Sequence, residues 1–109
     1  MVEGFWIVQF AGMEGKGGGV VVLTNGKVFG GDSAFTYVGN YRETGVKVTA
    51  TIRVHNFEPA IGSVTGMKGD HTLQLDVHLQ NETVLVGSGS VLGQSGFGVK
   101  VKLTRQTTL

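Results

Sequence analysis

The chain contains no cysteine and a single proline in 109 residues. Without cysteine there are no disulfides, no thiolate nucleophile and no thiolate metal site, which fits a reducing compartment. Helical periodicity is missing too, since no stretch keeps a 3.6-residue apolar spacing. Nor is there a cluster of basic residues: nine Lys and Arg against eight Asp and Glu leave a formal charge of +1. Phosphate recognition draws on concentrated positive charge, so nucleic acid is not an expected partner. No basic N-terminal region leads into an apolar run, and no apolar segment approaches bilayer length. The expectation is a soluble cytoplasmic protein without a membrane span.

What the chain has is glycine, nineteen residues of it, set within and between β-branched runs. That placement reads as bends and bulges in a sheet. Only Gly12 to Gly19 reads as a loop, mobile at its start. The length suits one domain over residues 1–109, ordered over 3–105, with a fraying tail at 106–109. Strands are expected at Gly4 to Phe10, Gly18 to Thr24, Lys27 to Gly31, Tyr37 to Arg42, Val46 to His55, Thr72 to Gln80, Thr83 to Val91 and Phe97 to Arg105. Eight short strands with closely spaced turns imply an antiparallel sandwich or barrel. The long connection from Asn56 to Asp70 fits a short strand, a helical turn or a lid over one barrel end.

Alternation separates inside from outside. Val46, Val48, Ala50, Ile52 and Val54 share one face, as do Leu73, Leu75, Val77 and Leu79, and Val99, Val101 and Leu103. The first two strands are apolar on both faces. Trp6, Val8 and Phe10 oppose Phe5 and Ile7, and Val20 to Leu23 form an unbroken run. Left in water, Phe5, Ile7, Val21 and Leu23 would make an apolar patch, so a homodimer interface is expected there.

Asn25-Gly26 fits a type I′ hairpin turn, in which both central residues take positive φ. Gly30-Gly31 permits a bend, and Asp32 with Ser33 suits a turn that caps local N–H groups. Catalytic patterns fail. Gly31-Asp32-Ser33 and Gly93-Gln94-Ser95-Gly96 lack the helix that follows a nucleophile elbow, and Gly15-Lys-Gly-Gly-Gly19 lacks phosphate-loop spacing. His55, His71 and His78 lack zinc-ligand spacing and read as surface histidines. The reading assigns no catalytic, metal or cofactor-binding residue.

Asn25-Gly26, Gly30-Gly31-Asp32 and Tyr37-Val-Gly39, with Glu3-Gly4-Phe5-Trp6 and Gly69-Asp70-His-Thr-Leu-Gln-Leu-Asp76, resemble the GrlR-like family of small negative regulators of bacterial type III secretion. The resemblance covers roughly residues 3 to 105. It implies an all-β, eight-stranded antiparallel up-and-down calycin-like barrel with at most one short helix. It also implies a homodimer that represses by binding a transcriptional activator protein instead of DNA, without enzymatic activity. In the family that binding is attributed to a Glu-Asp-Glu-Asp motif between two middle strands. Here the corresponding turn, Arg42-Glu43-Thr44-Gly45, has one acid, so a regulatory partner is expected to use another surface or the interior. Gly4-x-Trp6 further resembles the start of calycin barrels, in which an Arg from the last strand packs over the Trp. Arg105 has the inward parity for that role; the alternative is an ordinary core Trp6 and a solvated Arg105. The other functional expectation is a carrier of a small apolar ligand such as a lipid or fatty acid. Inward glycines would leave room for it, whereas Trp6, Phe10 and Leu75 would fill the space.

Overall fold

A computed structural model describes residues 1–12, 15–61, 69–94 and 98–109. Eight strands follow in order: β1 (Gly4–Gly12), β2 (Gly15–Thr24), β3 (Lys27–Gly31), β4 (Phe35–Thr44), β5 (Lys47–Asn56), β6 (His71–Asn81), β7 (Val84–Val91) and β8 (Gly98–Thr107). Each pairs antiparallel with the next, and β8 returns to β1, closing an up-and-down barrel. Of the sandwich or barrel that the strand pattern allowed, the all-β barrel is the observed fold. Among the described residues there is no helix, and none long and apolar enough to cross a membrane.

The core follows the period-two pattern. Val48, Ala50, Ile52 and Val54 of β5 and Val99, Val101 and Leu103 of β8 are buried with Trp6, Val8 and Leu85 in one cluster. Closing the sheet gives every strand a neighbour on both sides, although Gly15 to Gly19 of β2 extend past β3, which pairs only with Val20 to Thr24. Asn25 and Gly26 turn the β2–β3 hairpin with φ of 48° and 76°, as their residue types require. At Gly30 the chain bends hard against β2: a Cβ there would overlap the Val20 carbonyl oxygen, and Gly39 and Gly87 approach their neighbours in the same way. These inward glycines serve the coiling of the barrel.

Several expected boundaries are corrected. The stretch expected as a loop from Gly12 is largely strand, with Gly12 paired to Gly15 and Phe10 to Gly17; residues 13–14 lie outside the described set. The tail at 106–109 is ordered through Thr107, which pairs with Phe5. Val46 belongs to the β4–β5 turn and is exposed, because β5 begins at Lys47. Of the long connection, Phe57 donates its N–H to the Ala34 carbonyl and Ile61 closes a turn onto Glu58, while residues 62–68 lie outside the described set.

The main correction concerns β2. Val21 and Leu23, expected on the outside, are each 4% exposed and belong to the core. A run apolar on both faces has no alternation from which to read direction, and the register decides it. Trp6 pairs with Val21 and Gly4 with Leu23, so these residues share the inner face. Val20 and Val22 point outward instead.

Candidate ligand-binding site

The up-and-down order puts alternate connections at opposite ends. The turns after β2, β4 and β6 and the C-terminal part of β8 share one end with the start of β1. The connections after β1, β3, β5 and β7 share the other.

The first end is plugged. Trp6 is fully buried and donates its indole N–H to the Val2 carbonyl at 2.9 Å. Arg105, its cross-strand partner, lays its guanidinium carbon 4.6 Å from the indole ring centre. That lies within the roughly 6 Å over which a cation is attracted by the ring quadrupole. The same guanidinium donates to the carbonyls of Glu3 (2.8 Å), Met1 (2.8 Å) and Glu82 (3.1 Å). It thereby ties the segment before β1 to the β6–β7 turn. Glu43, the single acid of the β4–β5 arm, is also committed here, accepting the Val2 N–H at 3.1 Å.

Above this plug the barrel encloses a cavity of about 370 Å³, walled by Val8, Phe10, Val21, Leu23, Val28, Val48, Ala50, Ile52, Val77, Leu85 and Val101 among others. It opens at the opposite end, where the exposed Lys16, Ser33 and Ile61 form part of its rim. Phe10 and Leu75, which sequence reasoning allowed to fill the interior, stand on its wall: Leu75 lines the cavity, and Phe10 packs edge-on to Tyr37 with centroids 6.5 Å apart.

Polar groups near the mouth are mostly occupied. One Asp32 carboxylate oxygen accepts the N–H groups of Ala34 (2.8 Å) and Phe35 (2.9 Å). The other accepts the Tyr37 hydroxyl. Asp32 thus caps the β3–β4 turn as its residue type suggests. Burial, reinforced by the hydrogen bond and negative charge of Asp32, pushes the Tyr37 phenol far above its ordinary value. Outside the barrel Asp70 receives His55 at 3.0 Å and the Asn56 N–H at 2.9 Å, which hold its carboxyl below the usual range, the histidine contributing most.

His71 is the exception at the mouth, and sequence reasoning misplaced it. It is 7% exposed and lines the cavity, not the surface. Its Nδ1 lies 3.0 Å from the Gly69 carbonyl oxygen, its ring stands edge-on to Phe35 at 6.2 Å, and its Nε2 is buried without a hydrogen-bond partner among the described residues. Its parity could have found it, since position 71 continues the inward series Leu73, Leu75, Val77. Starting the strand at Thr72 concealed this. His55 and His78 are exposed, and among the described residues no three His, Asp or Glu side chains gather as a metal site.

On the outer wall the register lines up Phe5, Val22, Phe29 and Val38 across β1 to β4, with Ile7 beside Val20 in the next row. Ile7, Val20, Phe29 and Val38 are 38–52% exposed. The fold and site define a β-barrel plugged at one end, apolar inside and open at the other. No protein-family model matches the chain, and no curated protein matches it.

Proposed function

We propose that this is a non-enzymatic binding protein that takes up a small, mainly apolar molecule in the barrel interior. The observation that supports this reading is the aliphatic cavity of about 370 Å³ above the Trp6–Arg105 plug. Its volume falls within the roughly 300–1,000 Å³ of small-molecule sites. Water gains little from such walls, whereas an apolar molecule sheds its own hydration on entering. An environment-sensitive apolar dye should bind saturably with one site per chain. Ala50→Phe projects a ring into the cavity from the middle of β5 and should weaken uptake at least ~10-fold, equivalent to about 1.4 kcal/mol. A dye that does not saturate, or that binds Ala50→Phe equally well, would reject the interior as the site.

The outer apolar rows favour a second role, contact with another protein, and the occupant proposed is a second copy of the chain. Phe5, Ile7, Val20, Phe29 and Val38 form the patch, replacing Val21 and Leu23 of the sequence expectation. An isologous contact burying about 800 Å² per partner would cover it. Sedimentation at tens of micromolar is expected to give a dimer, and Ile7→Lys a monomer, because the ammonium would be desolvated within the contact. A wild-type monomer at that concentration counts against the interface. Resemblance to GrlR-like regulators supports regulation through protein contact on the same grounds, with Glu43 engaged at the plug and the β4–β5 turn a poor acidic lure.

A further inference from the structure

The cavity is apolar almost throughout, yet among the described residues it holds a buried nitrogen without a hydrogen-bond partner. The Gly69 carbonyl can only accept, so the 3.0 Å contact to Nδ1 makes that nitrogen the N–H donor. In the neutral ring the lone pair then resides on Nε2, buried and unpartnered among the described residues. Leaving such an atom unpaired is unfavourable. The Gly69 bond accounts for Nδ1 but not for Nε2: other inward positions on β6 are Leu or Val, and the edge offered to Phe35 needs no second nitrogen. Asp32 and Tyr37 do not share this vacancy, because both Asp32 oxygens and the Tyr37 hydroxyl already bond one another or the turn, and Lys16 and Ser33 on the rim are exposed to water.

We propose that His71 is the polar anchor of the cavity: its Nε2 accepts a hydrogen bond from the O–H of an alcohol whose apolar body lies in the aliphatic interior. The assignment rests on the reading of the interior as a ligand site and adds the ligand's chemical class and orientation. Because His71 begins β6 at the open end, the head group sits near the mouth and the chain runs down toward the Trp6 plug. Preference for an amphiphile with one donor over a pure hydrocarbon follows, since the hydrocarbon would leave Nε2 unpaired.

Titration with n-octanol and with its isomer heptyl methyl ether isolates the donor, as the two share a formula and differ in the O–H. Wild-type protein should bind octanol about tenfold more tightly than the ether, the worth of one buried hydrogen bond. His71→Phe should bind the ether as before and lose the preference. Equal affinity for octanol and ether in wild type, or a preference that survives His71→Phe, overturns the anchor while leaving the apolar site standing. Binding of neither probe overturns the site and the anchor together. If His71→Phe does not fold, the ¹⁵N resonance of the wild-type Nε2 decides: it should move upfield with octanol and stay in place with the ether, and an unmoved resonance refutes the proposal.

Discussion

Trp6→Ala is expected to lower the free energy of unfolding by about 3–5 kcal/mol, the range for losing a buried aromatic. The side chain is fully buried, and its removal does more than open a void. The Val2 carbonyl loses its indole donor, and the Arg105 guanidinium loses the ring face beneath it. A buried carbonyl left unpaired and a cation without its ring act in the same direction. Relaxation around the gap is limited because Arg105 remains tied to the Glu3, Met1 and Glu82 carbonyls. Urea denaturation of wild type and variant measures the difference. A loss under about 1 kcal/mol, below the expected cavity cost, would mean that the plug is dispensable.

A second large effect is alkaline destabilisation through Tyr37. Its phenol ionises near 10.0 in the unfolded chain but far higher in the fold, where burial and Asp32 disfavour phenolate. A raised folded value stabilises the fold at pH below the unfolded value. As pH climbs past about 10, the unfolded state releases a proton that the folded state keeps, so unfolding becomes easier. The slope is about 1.4 kcal/mol per pH unit, or roughly 2.7 kcal/mol by pH 12. Denaturant titrations from pH 9 to 12 should show this decline in wild type and a shallower one in Tyr37→Phe. Equal slopes would assign alkaline unfolding to other groups. Tyr41, also raised by burial but more exposed, contributes in the same direction and remains in both proteins.

Much of the fold was legible because a one-sided strand displays its burial in its residue types. In β5 and β8 an aliphatic residue (Val, Ile, Leu or Ala) alternates with Lys, Arg or Thr over Lys47 to Val54 and Val99 to Thr104, and both strands bury the faces so marked. The Asn25-Gly26 turn was legible for a local reason, since positive φ at consecutive residues is costly for most side chains. Val20 to Leu23 was not legible in the same way. Four apolar residues in a row are compatible with either orientation, and pairing with Trp6 and Gly4 selects one. The Trp6–Arg105 pair stood between these cases. Parity marked Arg105 as inward, but the partners lie at opposite ends of the chain, and only closure of β8 onto β1 brings the guanidinium over the indole.

By itself the sequence determined the period, the turns and the class of the protein, because all three depend on interactions within a few residues. It also determined that no thiol chemistry can occur, there being no cysteine. The tertiary structure alone decided that a cavity of about 370 Å³ remains inside and that the Nε2 of His71 is buried there without a partner among the described residues. Those features depend on how far strands coil and which side chains meet across the barrel. Gly30, Gly39 and Gly87 illustrate the difference: the sequence marks inward glycines without saying whether they leave room or bend the sheet, and in the fold their missing side chains let strands draw together. An interior volume is the remainder left after many long-range contacts have formed, and no local pattern of residues encodes it.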